Sequence, residues 1–143
     1  MKKTFTIIIA DRNGHIRNFM ERELLGEGYR VKVAKDASEV HFVINSKKSS
    51  DLLIIDLDMP HGDGLSLLEW LNYQKPALPV IIHTFHSDYK NYQAVSNVAA
   101  FVEKTGDNID VLKDVVARVL QKYYPRRIPK NGNSLLISKR IFS

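Results

Sequence analysis

Asp51-Leu52-Leu53-Ile54-Ile55-Asp56-Leu57-Asp58-Met59-Pro60-His61-Gly62-Asp63-Gly64 is an aliphatic run that stops at an acid and passes into a turn. Such a short, continuous apolar run reads as a strand buried on both faces. The Gly62-Asp63-Gly64 turn then opens a helix whose inner face is Leu65, Leu67, Leu68 and Leu71. The same alternation extends outward in both directions. Further strands are expected at Phe5–Ala10, Tyr29–Ala34, Pro79–His83 and Ala100–Glu103. Ile16, Phe19, Met20, Leu24 and Leu25 mark a first helix that Gly26 and Gly28 end. Asp36 caps a second helix burying Ala37, Val40, Val43 and Ile44.

A fourth helix is expected from about Asp88 to Asn97, anchored by Tyr92, Val95 and Ala94 alone. The last, from about Asn108 to Tyr124, buries Ile109, Leu112, Val115, Val116, Val119 and Leu120 before Pro125 stops it. Five strands alternating with five helices predict a doubly wound, flavodoxin-like (βα)5 three-layer sandwich around a five-stranded parallel sheet.

Composition excludes several classes. With 44% hydrophobic and 26% charged residues, the chain has an ordinary globular balance rather than a disordered one. Apolar runs are too short to span a bilayer, and the basic start lacks a signal-peptide pattern. Absence of cysteine removes disulfides, thiolate metal sites and thiol nucleophiles. A cytoplasmic location is the expectation. The net charge of +5 lies wholly in residues 125–143, because residues 1–124 hold 16 basic and 16 acidic side chains. We therefore expect a neutral domain over 1–124 and a basic C-terminal extension over 125–143, its charges solvated, or else touching phosphates or an acidic partner.

In open parallel sheets, ligands bind beyond the carboxyl ends of the strands where strand order reverses. Asp11, Asp56, Thr84 and Lys104 stand at four such ends. Asp56 can act as a carboxylate nucleophile forming an acyl phosphate, while Lys104 supplies a point charge. Thr84 offers a hydroxyl to a phosphoryl oxygen. Asp11, alone or with a partner, would ligate magnesium. His83 and His86 bracket Thr84, yet no carboxylate or thiol beside them in sequence completes a zinc set. No glycine-rich loop follows the first strand, which counts against a flavin or nucleotide site.

Residues 4 to about 124 resemble the CheY-like receiver domain of bacterial two-component response regulators. The resemblance is carried by Ile7-Ile8-Ile9-Ala10-Asp11 with Ile16-Arg17, by Asp56-Leu57-Asp58-Met59-Pro60 through Gly64, by Pro79-Val80-Ile81-Ile82-His83-Thr84 and by Phe101-Val102-Glu103-Lys104. It implies that Asp56 is the phosphoacceptor, receiving its group from the phosphohistidine of a sensor histidine kinase or phosphotransfer protein. It also implies magnesium held by Asp11, Asp56 and the main-chain carbonyl of Asp58, and a switch pair of Thr84 and Phe101. Output would be contact with a downstream protein through the fourth helix, fifth strand and fifth helix, with a second copy of the chain as a further partner. Nothing after residue 124 is long enough for a DNA-binding domain, so a stand-alone signalling protein, not an enzyme, is expected.

Four departures qualify that resemblance. Arg12 replaces the second of two tandem acids, cannot ligate a cation, and could pair with Asp56 in the metal's place. Magnesium binding is thus expected to be weakened or lost. One reading keeps Asp56 phosphorylated, less efficiently; the other makes the chain a phosphorylation-independent adapter. Thr105 replaces a proline, which removes the expectation of a cis peptide there, and Phe85 replaces a small residue, where it would block the switch hydroxyl or fill its pocket. The span from Thr84 to Lys104 is about two residues short, in keeping with a poorly anchored fourth helix.

Overall fold

The computed structural model describes residues 4–105 and 109–128. Five strands, β1 (Thr6–Ala10), β2 (Arg30–Ala34), β3 (Leu52–Ile55), β4 (Val80–Thr84) and β5 (Ala100–Glu103), form one parallel sheet. Their order, β2-β1-β3-β4-β5, reverses direction between β1 and β3. The crevice for a ligand therefore opens beyond Ala10 and Ile55, beside Asp11 and Asp56.

Every residue of β1 and β3 is buried, as aliphatic central strands require, whereas β2 lies at an edge and is mostly not. Alternation along the strands feeds two apolar layers. One holds Ile7, Ile9, Leu52, Ile54 and Ile81 against α1 (Gly14–Gly26) and α4 (Ile109–Tyr123). The other holds Ile8, Leu53, Ile55 and Ile82 against α2 (Ala37–Ile44) and α3 (Asp63–Leu71). Asp36 caps α2 as the sequence predicts, and Asn13 caps α1; the side chain of each accepts from backbone N–H groups in the first turn.

The expected fourth helix does not form. Its place is taken by two 3-10 turns, Ser87–Asn91 and Gln93–Asn97, separated by Tyr92 in an extended conformation. Among the residues whose burial is described there, Val95 is the one that is buried, too little apolar surface to hold three helical turns against the sheet. The layout is thus five strands with four α-helices among the described residues.

A 3-10 turn, Pro125–Arg127, follows α4, and Ile128 beyond it joins the apolar layer of α1 and α4. The described start of the basic extension therefore packs on the body. The onset of the last helix near Asn108, the turn at Asn131-Gly132-Asn133 and the apolar residues Leu135-Leu136-Ile137 and Ile141-Phe142 lie outside the described residues. No helix among the described residues is long and apolar enough to cross a membrane.

Candidate functional site

Backbone bonds continue the ladders past the ends of the strands and so fix the rim residues. The Asp11 amide donates to Ala34 O (3.1 Å), that of Asp56 to Ala10 O (3.0 Å) and that of Lys104 to Thr84 O (2.7 Å). Their side chains meet. Lys104 Nζ donates to Asp11 Oδ2 at 2.5 Å and to Asp56 Oδ2 at 2.7 Å, with all three side chains buried. The second oxygens are held locally: Asp11 Oδ1 accepts from Asn13 N–H (2.9 Å), and Asp56 Oδ1 from Asp58 N–H (3.0 Å). Arg17 Nη1 donates to the Asp11 carbonyl (2.6 Å), tying the loop after β1 to α1.

The loop after β3 is set by Gly64, where a Cβ would collide with the carbonyl group of Leu57. Glycine is needed there for α3 to start directly beneath the turn that carries Asp56 to Met59. Gly62 (φ 68°) and His61 (φ 62°) both take left-handed conformations in that turn.

Thr84 is completely buried at the end of β4, and its Oγ1 accepts from His86 N–H (3.2 Å). Phe101 is half-buried on β5, with Lys90 Nζ 5.2 Å from its ring centroid. Asp11, Asp56 and Lys104 are therefore in direct contact, while Thr84 and Phe101 occupy the adjoining strand ends.

Arg12 does not take the place expected for it. Its Nη2 lies 3.6 Å from Asp58 Oδ2, its side chain is 59% exposed, and the cation in contact with Asp56 is Lys104. The turn that points Asp11 inward leaves its neighbour on the outer face of the loop, and the ammonium already fills the space between the carboxylates. His86 Nε2, 3.8 Å from the same Asp58 oxygen, flanks it from the loop after β4. Phe85 neither blocks Thr84 nor fills its pocket: it is 64% exposed, with Lys104 Nζ 5.2 Å from its ring centroid. The Lys104–Thr105 bond is not cis; the cis peptide among the described residues is Lys75–Pro76.

His83 escaped the reading of the sequence except as a rejected zinc ligand. It is buried on the α1–α4 side of the sheet. Burial first, and then the charge of Lys104, push its pKa down to about 4, so it is neutral near pH 7.

This geometry, a lysine bridging two strand-end aspartates at the reversal point of a 2-1-3-4-5 sheet, coincides with a family match. Residues 7–116 match the response regulator receiver domain model. The chain belongs to that family. The receiver is 34% identical over 132 residues to the DNA-binding transcriptional regulator NtrC of Proteus hauseri, covering 91% of this chain and 28% of the relative. It thus spans little more than a quarter of that relative's length. Among solved structures it resembles the response regulator TrrA of Thermotoga maritima in complex with Mg2+-BeF (TM-score 0.73, 27% identity, 82% of this chain and 100% of that one). TrrA in complex with the histidine kinase ThkA is likewise similar (TM-score 0.74, 27% identity, 82% and 99% covered). The receiver is a module of two-component phosphorelay signalling.

For magnesium, the carboxylates of Asp11 and Asp56 lie together at the rim, both on Lys104. Among the described residues no set of three or more His, Cys, Asp or Glu side chains is placed to hold a metal. Two carboxylates with water completing the octahedron still suit magnesium, which sheds its waters reluctantly. The donor set fits that ion, with fewer protein oxygens than a tandem acid would give.

Proposed function

We propose that this receiver accepts a phosphoryl group on Asp56 from the phosphohistidine of a sensor histidine kinase or phosphotransfer protein. The observation that carries the reading is Lys104 bridging Asp11 and Asp56 at the rim. A carboxylate oxygen of Asp56 attacks phosphorus, the P–N bond breaks with its electron pair going to the ring nitrogen, and the donor's imidazole, already protonated on its other nitrogen, leaves neutral. Lys104 neutralises the charge that gathers on the phosphoryl oxygens, and Thr84 supplies a hydroxyl to one of them. Magnesium held by Asp11, Asp56 and the Asp58 carbonyl would contribute further Lewis-acid neutralisation. Arg12, anchored on Asp58 at the mouth, contributes positive charge where an acid would have strengthened the metal site.

The known complex of TrrA with a histidine kinase supports a kinase partner, and with it a cytoplasmic setting. Signalling then passes by protein contact through the 3-10 segment, β5 and α4, to a downstream protein or a second copy of the chain, with Thr84 and Phe101 as the switch. Tyr92, 47% exposed on that face, suits such a contact.

A second reading, a phosphorylation-independent adapter, is favoured by one observation: Lys104 already occupies the space between the carboxylates. Labelling with acetyl phosphate, with and without magnesium, separates the two. Native protein is expected to label on Asp56 with shallow magnesium dependence, Arg12→Asp to label faster and more steeply with magnesium, and Asp56→Asn not at all. An unlabelled native chain beside a labelled Arg12→Asp variant establishes the adapter instead.

A further inference from the structure

Behind Lys104, on the side of the sheet away from Thr84, lies a cavity of about 290 Å³. Ile16 and Phe19 of α1, Ile109 and Leu112 of α4, and Phe85 give it mostly apolar walls. Lys104 and Thr105 add polar atoms to the lining, and so does His83. Its Nδ1 is buried without a hydrogen-bond partner, one of two such side-chain atoms among the described residues, the other being Ser50 Oγ. Buried polar atoms are ordinarily satisfied, so an orphan on a side chain that lines a cavity points to a ligand with a polar group.

We propose that this cavity binds a small, uncharged aromatic molecule bearing one hydrogen-bonding group, of the indole or phenol kind. Three observations set that class. The volume suits one or two fused rings. The walls are mostly apolar, with the exposed Phe85 and the half-exposed Phe19 available to contact a ring. The charge balance excludes an anion: Lys104 is the cation in the wall, and its single charge faces two carboxylates. His83 is neutral near pH 7, so either tautomer leaves Nδ1 able to donate or accept. Because Lys104 is shared between the cavity wall and the aspartates, a molecule seated there lies against the lysine that Asp56 depends on.

Indole and benzoate, titrated separately into the full 143-residue chain, test this by NMR of the His83 imidazole and the Lys104 ammonium. Indole is expected to move both signals saturably, with half-saturation on the order of 1 mM for so small a ligand. Benzoate should bind more weakly. His83→Phe, which keeps a ring but removes the polar atom, should weaken indole about tenfold. Ile16→Trp, at a half-buried position, should fill the cavity and abolish the response, with melting temperatures confirming that both variants fold. Absence of a saturable shift, benzoate binding better than indole, or unchanged indole binding in either folded variant overturns the assignment.

Discussion

Two aspartates bracket β3, and the two ends of that strand are built on different principles. Asp51 precedes its first residue, Asp56 follows its last, and each is 7% exposed, so burial does not separate them. Their cations do. Asp51 has an arginine to itself: Arg127 Nη1 donates to Oδ1 (2.6 Å) and Nη2 to Oδ2 (3.2 Å), while Thr6 N–H adds a bond to Oδ2 (2.8 Å). The guanidinium lies 4.4 Å from the Phe5 ring centroid and 5.2 Å from that of Tyr124, whose hydroxyl donates to the Asp51 carbonyl (2.8 Å). Asp56 shares one lysine with Asp11. One end is charge-neutral and geometrically closed. The other keeps an unbalanced negative charge and a flexible point cation, which is what a carboxylate awaiting an electrophile requires.

Separating those roles by mutation is the sharpest way to break this comparison. Asp51→Ala should cost about 4 kcal/mol in urea unfolding, because it strands a partly buried guanidinium and the Thr6 N–H. Acetyl phosphate labelling of Asp56 should remain at the native level; a parallel fall would show that the two ends act as one unit.

Acid should find the carboxyl end first. His83 is held neutral in the folded chain, with its pKa lowered from 6.5 to about 4. The unfolded chain therefore takes up a proton below pH 6.5 that the native state refuses, and stability falls as pH drops from there towards 4. Such a shift amounts to about 3 kcal/mol, and His83→Phe should flatten that limb in unfolding measured across the same range.

Arg127→Lys asks whether the fork matters or only the charge. A lysine cannot bind both oxygens of Asp51 while stacking between Phe5 and Tyr124, so we expect a loss of about 1.5 kcal/mol, moderated by the partial exposure of this side chain. The smallest effect should have the opposite sign. Asp56→Asn removes one of two carboxylates competing for Lys104 and should stabilise the fold by about 1 kcal/mol while abolishing labelling. Destabilisation by Asp56→Asn would mean that both ends of β3 are structural.

Much of the carboxyl end could be read directly. Asp11, Asp56 and Lys104 each follow a short apolar strand, and a parallel sheet has one rim at which such residues can gather. The amino end could not be read that way. Arg127 looked like part of a solvated basic tail, and its partner Asp51, 76 positions away, looked like the leading residue of a strand. Phe5 and Tyr124, aromatics at the start of β1 and the end of α4, were the available hint. The fourth helix failed because propensity over Asp88 to Asn97 had no apolar face to support it. Charge alone allows Arg12 to pair with Asp56, but the direction of its side chain depends on the turn that buries Asp11.

Local pattern determined the strands, three of the helix caps and turns, and the identity of the rim residues, because burial on two faces and turn chemistry are written in neighbouring side chains. Which cation each aspartate holds, where Arg12 points, and that His83 is left without a partner beside a cavity were decided by the packed sheet. Those outcomes depend on distances between residues remote in the chain, and the assembled fold alone sets such distances.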